Sequence, residues 1–193
     1  MMIPPNVPHP YTPTGKKQMT LMNPSRSSAL FTVLHTDGKI SIHRGPSPSG
    51  SEIGRVSFNT YSGGKADLFL NNQTYHFSKA FSSFTGLGTQ LGWEIRKLPP
   101  GMASGTSGMA WYLFDNTNQQ PEEIAKFTVT ANIYKKMMEG ELTVLKQGGM
   151  SPQQFDEVFA TLVAEVERDR KKQGKYSCIG ETLIWLNCLT CLG

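Results

Sequence analysis

The chain has 193 residues, 38% of them hydrophobic, and a formal net charge of +4. This length suits one domain with tails, and the apolar content is enough for one core. The charge sits at the ends. Residues 1–28 hold Lys16, Lys17 and Arg26 with no acid, and residues 167–175 hold Arg168, Arg170, Lys171, Lys172 and Lys175 against Glu167 and Asp169. The middle of the chain is left slightly acidic. That excludes the clustered basic face of a nucleic-acid-binding core, so no nucleic acid is expected as a partner.

Five of the twelve prolines fall in the first thirteen residues, and the stretch 1–28 reads as a disordered, Pro-rich leader that could serve protein interaction. It lacks the apolar centre of a secretory signal, and no apolar run reaches the ~18–20 residues that cross a bilayer. Structure is expected to begin near Ala29. ALFTVLH and KISIHR flank Asp37-Gly38, a strong hairpin signal. A two-residue turn there pairs His35 with Ile40 and His43 with Thr32. The two histidines are therefore not opposite each other, and no metal site is expected of them.

Glu52–Thr60 alternates, with Gly54, Val56 and Phe58 on one face. Ala66, Leu68 and Leu70 alternate next, and Asn71-Asn72 turns the chain into Thr74–Ser78. Phe81–Thr85 follows, then a strand with Leu91, Trp93 and Ile95 on one side. The stretch 99–110 is a Gly- and Ser-rich loop. Trp111–Asp115, Ile124–Ala131 and Glu141–Lys146 bring the count to about ten strands. With no βαβ alternation, the expected fold is mainly β (α+β). It is a closed or nearly closed antiparallel barrel of about 10–12 strands around a central hydrophobic helix.

The helix is predicted over 151–172. Ser151 suits the N-cap, Pro152 the first helical position, and Gln154 completes a capping box. Phe155, Val158, Phe159, Leu162, Val163 and Val166 recur at helical spacing, and Ala160 and Ala164 widen the stripe. Eight of the twelve positions from 155 to 166 are apolar, too many for a helix lying on a surface. Burying them contributes on the order of 10 kcal/mol or more before entropy. Residues 167–172 are charged and are expected to project into solvent as a basic stem.

Sequence motifs for chemistry are few. Gly86, Gly88 and Gly92 have the wrong spacing for a dinucleotide loop, and Glu122-Glu123 would point to opposite faces of a strand. No catalytic residue, cofactor or metal is expected. All three cysteines, Cys178, Cys188 and Cys191, lie in the last sixteen residues, which gives no disulfide framework and fits a cytoplasmic protein. Cys188 and Cys191 are candidates for acylation in an apolar tail spanning 173–193. The preceding basic run would supply the second signal that stable membrane anchoring needs. Lys135-Lys136, beside a turn before Gly140, together with Arg168, Arg170, Lys171 and Lys172, form the candidate anionic-lipid surface.

The order of elements, many antiparallel strands and then a very apolar helix, resembles the tubby C-terminal-like superfamily, which includes tubby proteins, phospholipid scramblases and LURP-one-related proteins. More narrowly, the chain resembles an uncharacterised fungal family of that fold. The resembling stretches are SEIGRVSFN, GTQLGWEIRKL, WYLFDN, EIAKFTV and GELTVLKQGGMSPQQFDEVFATLVAEVERDRKK, within residues 29–172. The resemblance implies a barrel of about twelve strands enclosing a helix, and lipid or membrane association. The expectation is a monomeric, non-enzymatic binding module, cytoplasmic or peripheral at membranes, that recognises anionic phospholipid or a protein partner. The alternative is a small-ligand carrier or enzyme using a cavity in the barrel.

Overall fold

The computed structural model describes residues 2–15, 17–36, 39–58, 65–78, 82–86, 89–98, 109–130 and 139–169. Its strands are β1 (Pro8–Gly15), β2 (Gln18–Met22), β3 (Ala29–Thr36), β4 (Lys39–Arg44), β5 (Glu52–Phe58), β6 (Lys65–Leu70), β7 (Gln73–Ser78), β8 (Ser82–Gly86), β9 (Thr89–Lys97), β10 (Met109–Asp115), β11 (Glu122–Val129) and β12 (Gly140–Val144). A helix, α1 (152–169), follows.

All twelve strands form one antiparallel sheet, ordered β7-β6-β5-β4-β3-β2-β1-β12-β11-β10-β9-β8. Consecutive strands pair throughout except β7 with β8, and the non-consecutive pairing is that of β1 with β12. The edges are β7 and β8, and among the described residues no ladder joins them. The sheet is therefore not closed by hydrogen bonds there.

The β3–β4 register is the one the hairpin signal predicts, with Thr32 opposite His43 and His35 opposite Ile40. Asp37-Gly38 itself lies outside the described residues. Asn71 and Asn72, between β6 and β7, have φ of 50° and 61°. Two successive left-handed residues make a primed two-residue turn, whose twist matches the flanking strands. The expected alternation also holds. Gly54 and Val56, then Ala66, Leu68 and Leu70, then Leu91 and Trp93, all point into the core, while Ile95 stays exposed.

The expected disordered leader is corrected: residues 1–28 contain β1 and β2. Proline content suggested a segment unable to join a ladder. Yet Pro8 and Pro10 share parity, so the donors they lack fall on one side of β1, and His9 and Tyr11 keep theirs. Between Pro13 and Gly15 the β1–β2 ladder shifts register, the kind of irregularity at which a strand tolerates proline. The segment is tied further by an Ile3–Met150 bridge, with Ile3 N–H donating to Met150 C=O at 2.7 Å and the reverse bond at 3.0 Å. Gly149 permits that approach. Its φ is +78°, and any side chain there would run into the Ile3 carbonyl.

The helix is buried on every face from 155 to 168. Its N-terminus is the predicted capping box. Gln154 N–H donates to Ser151 Oγ at 3.2 Å, and Ser151 N–H donates to Gln154 Oε1 at 3.0 Å. Phe159 stacks on Phe31 of β3 with ring centroids 4.8 Å apart and meets Tyr11 of β1 edge-on at 5.7 Å. Phe155 packs against His9 at 5.1 Å and Phe31 at 6.0 Å. β1 and β3 thus hold this part of the helix, and Trp93 of β9 reaches it from the other half of the sheet.

Candidate functional site

A helix enclosed from 155 to 168 must also bury its polar face, and each polar group needs a partner. Strand side chains supply most of them. Arg44, at the end of β4, donates from a guanidinium N–H to Asp156 Oδ2. Tyr75 of β7 donates its hydroxyl to Glu157 Oε1 at 3.0 Å. Trp93 of β9 donates its indole N–H to Thr161 Oγ1 at 3.1 Å, and the Thr161 hydroxyl lies 2.8 Å from the Glu157 carbonyl it donates to. Near the other end, Arg168 donates to Glu165 Oε2 at 2.6 Å, and His35 Nδ1 lies 3.7 Å from Glu167 Oε2.

These contacts set the local electrostatics. Burial pushes the Asp156 carboxyl above the ordinary carboxylate range, and Arg44 only partly offsets it. Burial, reinforced by the Glu157 carboxylate, raises the Tyr75 phenol to about 12. His9, on β1, is 2% exposed and is pushed down by burial, with the Met22 backbone opposing the shift.

Around the N-terminal end of the helix lies an open pocket of about 610 Å³, lined by Asn71, Ser151, Gln153, Gln154, Asp156 and Glu157. Every lining residue is polar. Amides and carboxylates at this density suit a small ligand rich in hydroxyl or amine donors. The sequence reading missed this region because it joins the β6–β7 turn to a helix far along the chain. The signal was present in the polar residues Asp156, Glu157, Thr161 and Glu165 within an otherwise apolar stretch. Once that stretch is recognised as buried, those positions demand partners on the strands.

The candidate lipid surface fares unevenly. Lys135, Lys136, Arg170, Lys171 and Lys172, and the acylation candidates Cys188 and Cys191, lie outside the described residues. Arg168 is corrected. At 4% exposure, and bonded to the equally buried Glu165, it is an internal residue rather than part of a projecting stem. The same holds for Glu167, because enclosure of the helix continues past Val166. Arg96 is engaged on the outer surface. It bonds Glu94 at 3.0 Å and Glu123 at 2.9 Å and lies 4.5 Å over the Phe114 ring.

Among the described residues no group of three or more His, Cys, Asp or Glu side chains is placed to hold a metal ion. No described helix is long and apolar enough to cross a membrane. Comparison of the chain with family models, with curated proteins and with solved structures finds no match.

Proposed function

We propose that the chain is a non-enzymatic binding module. It is read as a nearly closed barrel of tubby-like arrangement, and it works through its outer surface at an anionic membrane face. One observation carries this reading. The sheet's interior is occupied by the chain's own helix, which is buried from 155 to 168 and bonded to strand side chains through its polar groups. A filled interior leaves little room for a substrate cavity of the kind that encloses a small molecule. Recognition then falls to the exterior. The charge is assigned to Lys135, Lys136, Arg170, Lys171 and Lys172 and an acylation point to Cys188 and Cys191, all of them outside the described residues. The location that follows is cytoplasmic and peripheral to a membrane, with the protein acting as a monomer.

Flotation of the full chain with vesicles containing phosphoinositides tests this. Binding should weaken as salt rises, because exposed charges are screened. Lys135→Glu with Lys136→Glu should weaken it further. Absence of flotation at low salt would overturn the lipid reading.

The polar pocket beside Asn71 and Gln153 supports a second reading, a small donor-rich ligand held at the helix N-terminal end. Polyols, sugars and small amines that leave the melting midpoint of the protein unmoved would remove it.

A further inference from the structure

β1 is the strand that joins β2 to β12, so among the described residues the ladder hydrogen bonds that link the sheet's two halves run through it. The same segment reaches the start of the helix. Ile3 bridges Met150, and Asn6 N–H donates to the Val144 carbonyl at 2.7 Å. Its inner face presents His9 and Tyr11, two residues apart, to Phe155 and Phe159, one helical turn apart. Three of these four are ordinary core residues. His9 can acquire a charge.

We infer that β1 is an acid-releasable latch, with His9 as its sensor. Protonation of the imidazole buried against Phe155 disengages residues 2–15 from β12 and from the helix. The surroundings give the cation little support. Neither ring nitrogen of His9 makes a hydrogen bond of good geometry, and the ring is 2% exposed. β2 (Gln18–Met22) contains no ionisable side chain. On β12, Leu142 stands opposite His9, while Glu141 stands opposite Pro10 and so belongs to the other face. From β3, Phe31 packs on Phe155, and the one titratable residue of that strand, His35, faces Glu167 near the other end of the helix. On the helix, Asp156 follows Phe155 and is engaged by Arg44. The Met22 backbone favours the charged form, but burial outweighs it. A proton on His9 is therefore accommodated by moving the ring into water, and the ring is carried by the strand that holds the halves together.

Hydrogen exchange of the full chain, corrected for the intrinsic pH dependence of exchange, is measured at about pH 7.5 and about pH 5, on either side of the ordinary histidine range. Acid should lower protection in residues 2–15 and 150–160 by about tenfold or more, while β4 to β6 keep theirs. His9→Phe, which retains an aromatic ring against Phe155, should abolish the loss. A loss spread evenly over β1 to β12, or one that persists in His9→Phe, would overturn the latch. An NMR titration of His9 in the wild-type chain tests the latch independently of how well the variant folds. A ring that titrates at or above the ordinary histidine value would also overturn it.

Discussion

Replacing Phe159 with alanine should be among the most damaging single changes to this fold. Phe159 is fully buried, and its ring is gripped from two strands, stacked on Phe31 at 4.8 Å and edge-on to Tyr11 at 5.7 Å. Truncating a buried phenylalanine costs about 3–5 kcal/mol, through lost transfer energy and the cavity left behind. Each aromatic pair accounts for about 0.5–1.5 kcal/mol of that. Domain stabilities run to about 5–15 kcal/mol, so one side chain carries a large share. Urea unfolding measures it. With a slope of about 2 kcal/mol per M, the midpoint should fall by about 2 M at unchanged slope. Phe159→Leu, which keeps most of the apolar volume, should cost about 1–2 kcal/mol. A loss below about 1 kcal/mol for Phe159→Ala would mean that this helix face is open to water, and the enclosure described above would be wrong.

Arg168→Ala should cost about 3–5 kcal/mol, because it removes the guanidinium bonded to the buried Glu165 carboxylate; thermal unfolding reads this, and a variant of wild-type stability would return Arg168 to the surface. Ser151→Ala should cost about 0.5–2 kcal/mol by removing the acceptor for Gln154 N–H, again read by denaturation. Tyr75 keeps its proton in the folded state to about 12, against 10.0 for the free phenol, so the unfolded state releases it first. Stability should be flat below pH 10 on this account and fall as pH rises from 10 towards 12. Tyr75→Phe should flatten that fall while costing about 1–3 kcal/mol at neutral pH, through loss of the bond to Glu157.

Local chemistry was legible where it is self-contained. The Ser151–Gln154 capping box, the register of β3 on β4 and the asparagine turn each depend on a few adjacent residues. The sequence shows those residues directly. The breadth of the apolar surface at 155–166 likewise announced burial. Misreadings arose where distant partners decide. Arg168 looks solvent-bound in a run of charges, and only the presence of strands around it and of Glu165 one turn back makes it internal. Pro8 and Pro10 look hostile to a sheet until their shared parity is set against a specific neighbour. The polar pocket was invisible for the same reason, since Asn71 and Gln153 meet only through the fold.

The place of β1 between β2 and β12 bears on how the chain must be made. Among the described strands, β1 leaves the ribosome ahead of the others and pairs on one side with β12, which precedes the helix that fills the interior. Pairing between chain ends is slow, because the entropy of closing so long a loop is lost before the contacts reward it. Until the C-terminal part emerges, β1 has one open flank and the inward faces of β2 to β6 lack their helix. Synthesis therefore passes through a stage in which Phe31, Leu68 and Phe77, all buried in the finished protein, are exposed together on an incomplete sheet. Such a surface is prone to self-association, so a nascent chain stalled before residue 150 should be a strong client for chaperones that recognise exposed apolar strands.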